Sequence, residues 1–87
     1  MQHRDARLDA PTRAKALEAG WWQQHNGAFV ALHRMPDDHL VNALLKEMAD
    51  AETLTQVVRR LGGEVMRRGL WERAEAIAAA REERSHR

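Results

Sequence analysis

The chain has no cysteine and no tyrosine, and its 87 residues include only two prolines. Without cysteine, neither a disulfide framework nor a thiolate metal site is available, so a small stapled extracellular scaffold is excluded. No stretch approaches the roughly 20 apolar residues that a membrane span needs. The first residues also lack the apolar core of a signal peptide. We therefore expect a cytoplasmic protein without a membrane segment.

The length and composition predict one small folded domain. A chain of this length has room for a single two-layer core, near the size at which one core becomes marginal. Hydrophobic residues make up 44% of the chain and charged residues 31%, which stays short of the composition of a disordered chain. We expect one domain over residues 1–87, with frayed ends at 1–8 and 85–87.

The N-terminal third predicts a short helix followed by a β-hairpin. Asp9 can cap a helix that has Pro11 in its first turn and ends at Gly20. Asn26-Gly27 favours a two-residue type I′ turn, because both of its central residues need positive φ. That turn would place Trp22 opposite Ala31 in a ribbon made of residues 21–25 and 28–32.

The two adjacent tryptophans of this ribbon must point to opposite faces. Only one of Trp21 and Trp22 can easily enter a core this small. The second ring is either covered by a terminal helix or available to a partner, since tryptophan is enriched at interface hot spots.

Three apolar stripes at helical spacing predict the rest of the fold. The first helix of this region would begin at Pro36, because Asp37 and Asp38 then lie where the helix dipole favours negative charge. Its stripe comprises Leu40, Val41, Leu44, Leu45 and Met48. The next helix would begin at Glu52 or Thr53 and end at Gly69, with a stripe of Leu54, Val57, Val58, Leu61 and Val65.

Within that second helix, Gly62-Gly63 indicates either a closely approaching backbone or a bend, because each glycine costs about 1 kcal/mol relative to alanine. The segment from Leu70 to Arg84 should be a third helix with a thin stripe. The predicted fold class is a small, mainly helical α+β domain, with an N-terminal β-hairpin packed on about three α-helices.

Charge is unevenly distributed although the net charge is only +1. Residues 36–56 carry one lysine against five acids, whereas residues 57–73 carry five arginines against two acids. The basic patch comprises Arg59, Arg60, Arg67 and Arg68. Arg60, Glu64 and Arg68 would form an i, i+4 ladder, while Arg60 and Arg67 share a face suited to phosphate or to an acidic protein surface. The alternative is a solvated face or two helices that attract each other.

The sequence offers little to a catalytic or metal site. Five histidines are present, but none falls at a known ligand spacing, so we expect no metal and no cofactor. There is no Gly-x-Ser-x-Gly and no phosphate-binding glycine loop. Asp37 and Asp38 fit first-turn dipole partners better than an acid–base pair. We expect no enzyme, and a small enzyme is the weakest of the three functions considered.

The stretch from Trp22 to Ala43 carries a spaced motif. Trp22 precedes Gly27 by five residues, Gly27 precedes Met35 by eight, and four residues later comes the cluster His39-Leu40-x-Asn42-Ala43. A second motif, Glu64-x-x-Arg67-Arg68-Gly69-Leu70, follows near the end. Together they resemble a family of small proteins found in tailed bacteriophages and prophages, over about residues 21–70. That family has no assigned activity.

The resemblance implies a setting, the cytoplasm of a bacterial host, and no chemistry. We expect a non-enzymatic phage or prophage accessory protein that binds a host or phage protein, inhibiting a host defence or regulatory component. Its partner-binding residues would be Trp21, Trp22, Arg60 and Arg67, and homo-oligomerisation stays open. Gly27, Met35, His39 and Asn42 would be structural, with His39 hydrogen-bonded to seat the hairpin on the helix. The alternative is a nucleic-acid-binding accessory protein that uses Arg59, Arg60, Arg67 and Arg68.

Overall fold

The computed structural model describes residues 8–85, so the fraying expected at 1–8 and 85–87 lies outside them except at Leu8 and Ser85. The elements follow in the order α1 (Ala10–Glu18), β1 (Trp21–Gln23), β2 (Phe29–Ala31), a single 3-10 turn (Leu32–Arg34), α2 (Asp37–Met48), α3 (Thr55–Arg67) and α4 (Trp71–Ser85). The predicted mainly helical α+β fold with an N-terminal hairpin is confirmed. No helix in residues 8–85 has the length and apolar character to cross a membrane.

The capping signals at the first helix are confirmed. The side chain of Asp9 accepts a hydrogen bond from the backbone N–H of Thr12, 3.0 Å away, which satisfies a donor that the first turn of α1 leaves free. Gly20 follows the helix with φ +96°, a conformation that strains residues with a side chain. Ala14 and Leu17 are each 1% exposed, so the narrow apolar edge of α1 is fully used.

The predicted hairpin register is wrong by one residue. Trp22 pairs with Val30 and Gln23 with Phe29, so Trp21 lies opposite Ala31. The cause is the turn. Only glycines in the described chain have positive φ, so Asn26 does not adopt the conformation that a type I′ turn requires.

The connection is instead a three-residue loop over residues 25–27. The N–H of Gly27 donates to the carbonyl of Gln24 at 2.9 Å, and Gly27 itself has φ +93°. This is a type I turn followed by a left-handed glycine, the usual three-residue hairpin. Asn26 stabilises it by accepting from the N–H of Ala28.

The core lies where α2 and α3 pack on each other, with α1, α4 and the hairpin around them. Most of the predicted α2 stripe is buried, but Met48 is 55% exposed. Ala43 and Glu47 are buried instead, and both line a cleft between α2 and the hairpin. The apolar stripe predicted for α2 is therefore centred too far around the helix from the hairpin.

The end of α3 is a Schellman motif. The N–H of Leu70 donates to the carbonyl of Val65, and the N–H of Gly69 to that of Met66, while Gly69 has φ +71°. Earlier in the same helix, a Cβ added at Gly62 or Gly63 would meet nothing within 4 Å. A closely approaching backbone is therefore not the reason for these two glycines, and α3 continues through them.

Candidate functional site

The arginine motif near the end of α3 is largely structural. Only 13% of the Arg68 side chain is exposed, and its Nη1 and Nη2 donate to the carbonyls of Met35 and Leu32 at 2.6 and 3.0 Å. Nη1 also contacts Asp37 at 3.0 Å, and Nε lies 2.9 Å from Glu64 Oε2. Arg68 thus ties the end of α3 to the segment that leads into α2.

Glu64 is the anion of this cluster. Its side chain is 9% exposed and also accepts from Nε of Arg67 at 2.9 Å. The hydrogen bonds from Arg67, and then those from Arg68, lower the pKa of Glu64 to about 2 despite its burial. The Glu64–Arg68 step of the predicted ladder is therefore confirmed. The Arg60 step is wrong, because the second partner of Glu64 is Arg67.

The two remaining arginines of the predicted basic patch are exposed on α3. Nε of Arg60 lies 3.3 Å from the carbonyl of Leu17, so this side chain links α3 to the end of α1. Arg59 makes no hydrogen bond or ion pair within the described residues. Two of the four arginines are thus occupied by Glu64, which leaves a smaller basic surface than the sequence suggested.

The outer face of the hairpin carries two exposed aromatic rings. Trp21 is 49% exposed and Phe29 is 44% exposed, and the observed register puts both on the same face of the ribbon, diagonally across the strands. Because Trp21 keeps 49% of its surface exposed, the option of burial under a terminal helix is wrong. A shallow groove runs along this outer face, lined by Trp21, Phe29, Val30, Ala31, His33 and Arg34.

Gln23 shares this face but is only 5% exposed. Its side-chain Oε1 accepts from the N–H of Leu8 at 2.7 Å, and its Nε2 donates to the carbonyl of Gly27 at 2.9 Å. The residue therefore anchors the chain before α1 to the hairpin loop. The partner-binding residues predicted from the sequence do not include Phe29 or Gln23, because only the observed register places Phe29 on the same face as Trp21.

The inner face of the hairpin meets α2 across a cleft of about 250 Å³. Trp22 is half-buried here and packs against the core, so the two tryptophans do point to opposite faces. The cleft is lined by Trp22, Gln24, His25, Val30, Met35, Pro36, His39, Asn42, Ala43, Lys46 and Glu47. We call it the inner cleft.

His39 and Asn42, both predicted to be structural, differ in the contacts that they make. His39 is exposed and has no hydrogen-bond partner in residues 8–85, so it does not seat the hairpin on the helix. Asn42 is also exposed, and its Oδ1 accepts from Nη2 of Arg81 at 2.6 Å, which links α2 to α4. Gly27 and Met35, in contrast, have clear structural roles in the turn and the core.

The part of the chain that the structure describes contains no group of three or more His, Cys, Asp or Glu side chains that could hold a metal ion. Comparison with family models, with curated proteins and with solved structures found no match in any of the three. The geometry alone therefore identifies two candidate binding surfaces, the outer aromatic face and the inner cleft.

Proposed function

We propose that this protein is a non-enzymatic binding protein and that another protein packs on the outer face of its hairpin. The observation that carries the proposal is the pair of half-exposed rings, Trp21 and Phe29, on one face of a short ribbon. Large aromatic side chains dominate interface energetics, because each buries a large apolar area at small conformational cost.

The surroundings of these rings support a protein partner. Single exposed hydrophobic residues are ordinary, but here two rings line the same groove beside Ala31. Arg34 and His33 lie at the margin of the groove, and both are exposed. An apolar side chain flanked by an acidic residue would complement this arrangement of rings and positive charge.

The resemblance to small phage and prophage proteins is the basis for proposing where the partner comes from. On that basis the partner is a protein of a bacterial host or of the phage, and binding inhibits a host defence or regulatory component. The interaction would take place in the host cytoplasm. These finer statements depend on the resemblance, whereas the choice of binding surface depends on the exposed rings.

The experiment is an affinity capture from bacterial lysate, with and without nuclease, followed by measurement of affinity for each purified candidate. Trp21→Ala and Phe29→Ala should each weaken binding at least about tenfold, the range expected for hot-spot aromatics. Trp71→Ala is the matched control, because Trp71 is 42% exposed but lies on α4. Circular dichroism should show that all three variants keep their fold.

Two results would contradict the proposal. Equal losses with Trp71→Ala would mean that the outer face has no special role. Capture that disappears with nuclease, together with direct DNA binding lost in the Arg60→Glu, Arg67→Glu double variant, would favour the nucleic-acid alternative. Sedimentation of the isolated protein tests self-association, and a dimer abolished by Trp21→Ala would identify a second copy as the partner.

A further inference from the structure

Glu47 is a buried acid that the rest of the described chain leaves without a partner. The residue is 7% exposed, and neither a hydrogen bond nor an ion pair within residues 8–85 reaches its carboxylate. In the described chain, every side-chain oxygen or nitrogen that is closed to solvent has a hydrogen-bond partner. The carboxylate oxygens must therefore open on free space, and the inner cleft is the space that Glu47 lines.

The walls of the inner cleft are suited to an aliphatic chain. Trp22 and Val30 face it from the hairpin, Met35 from the segment before α2, and the small side chain of Ala43 leaves room one helical turn before Glu47. The volume of about 250 Å³ is smaller than pockets for drug-sized ligands. It is sufficient for one long side chain.

The lining of the cleft contains one acid, Glu47, and one lysine, Lys46, together with two histidines. A cationic occupant is therefore favoured by the unpaired carboxylate of Glu47 and not by the overall charge of the cleft. Lys46 is the lysine of the cleft, but its Nζ lies 3.5 Å from Nδ1 of His25 and forms no ion pair with Glu47. The side chains of consecutive helical residues point about 100° apart, which keeps Lys46 away from its neighbour. A carboxylate held among apolar groups is most stable when a cation that donates hydrogen bonds joins it.

We propose that the inner cleft binds the lysine or arginine side chain of a protein partner. The cationic head pairs with Glu47, and the aliphatic stem lies against Trp22 and Val30, where the indole ring also attracts a cation. This site is distinct from the outer aromatic face, because Trp22 and Trp21 are on opposite faces of the hairpin. It can therefore fail or succeed independently of the proposed function.

The test uses blocked single residues on the intact chain, followed by amide and indole NMR resonances. Nα-acetyl-lysine methylamide and its arginine counterpart should each give saturable shifts at the Trp22 indole and at the Ala43 and Glu47 amides. Nα-acetyl-norleucine methylamide keeps the stem but lacks the charge, so it should bind at least about tenfold more weakly. Equal binding of norleucine would overturn the proposal, as would tighter binding of the blocked glutamate or no binding at all.

Glu47→Gln supplies the variant arm, because it removes the charge and keeps the shape. We expect at least about tenfold weaker binding of the lysine probe. Glu72→Gln, an exposed acid on α4, is the control and should leave the affinity unchanged. Unchanged affinity in Glu47→Gln would overturn the proposal. If that variant does not fold, the comparison of the lysine and norleucine probes on the native chain still tests the proposal.

Discussion

Arg68 and Glu64 form a buried ion pair one helical turn apart, with 2.9 Å between Nε and Oε2. The pair is not an isolated surface bridge, because the same guanidinium also caps the carbonyls of Leu32 and Met35. It joins the last turn of α3 to the segment before α2. Two motifs that are far apart in the sequence, one containing Met35 and one beginning at Glu64, thus meet through a single side chain.

Replacing Arg68 should therefore destabilise the fold strongly. Arg68→Ala leaves Glu64 and two backbone carbonyls short of a donor, and we expect a loss of about 2–4 kcal/mol in the free energy of unfolding. Chemical denaturation measures it. Arg59→Ala removes an exposed arginine from the same helix and should change stability by less than about 0.5 kcal/mol. Similar losses in both variants would contradict the assignment.

The pH dependence of stability should contain a contribution from Glu64. Its pKa is lowered to about 2 in the folded protein, so the stabilisation is fully present above its ordinary value of 4.5 and is lost as pH falls toward 2. We expect this stabilisation to be about 1–2 kcal/mol. It is smaller than the full pKa shift would give, because solvent screens the partner Arg67. The difference in stability between native protein and Glu64→Gln should therefore shrink between pH 5 and pH 2, and a constant difference would contradict this.

The two tryptophans of β1 should differ in their effect on stability. Trp22 packs against the core and its replacement by alanine should cost about 2–4 kcal/mol, whereas Trp21→Ala should cost less than about 1 kcal/mol. Thermal unfolding compares them directly. A larger loss for Trp21→Ala would mean that the outer face is covered in solution.

His39 should be dispensable for stability. Its side chain is exposed and unpaired within the described residues, so His39→Ala should change the free energy of unfolding by less than about 0.5 kcal/mol. Met35→Ala is the comparison, because Met35 is 5% exposed in the same region and should cost about 2–4 kcal/mol. A loss of 1 kcal/mol or more in His39→Ala would restore the structural role expected from the sequence.

Replacing glycine by alanine should have opposite effects on stability at Gly63, within α3, and at Gly69, just after it. Gly63 is helical with open space around its missing Cβ, so Gly63→Ala should stabilise by about 0.5–1 kcal/mol. Gly69 has φ +71°, so Gly69→Ala should destabilise by about 1–2 kcal/mol. Stabilisation by both changes would contradict the Schellman assignment, and denaturant midpoints are sufficient to decide.

The sequence by itself determined the elements and their order. Asp9, Gly20 and Gly69 act through backbone groups within a few residues of themselves, so capping and termination followed from local chemistry. The apolar stripes of α2 and α3 likewise marked which helix faces enter the core. In the hairpin, Asn26-Gly27 located the turn correctly but not its length, since one dipeptide is compatible with loops of two and three residues.

Tertiary structure alone decided which polar groups are buried and where they find partners. Arg68 reaches carbonyls more than 30 residues away, and its i, i+4 spacing from Glu64 does not reveal these contacts. The burial of Glu47 and the exposure of Met48 depend on how the other elements are arranged around α2. The hairpin register decides which residues of the second strand share a face with Trp21 and with Trp22, and a shift of one residue exchanges the partners of every side chain in the ribbon. The outer aromatic face and the inner cleft both arise at this level, because each needs residues that only the packed chain brings together.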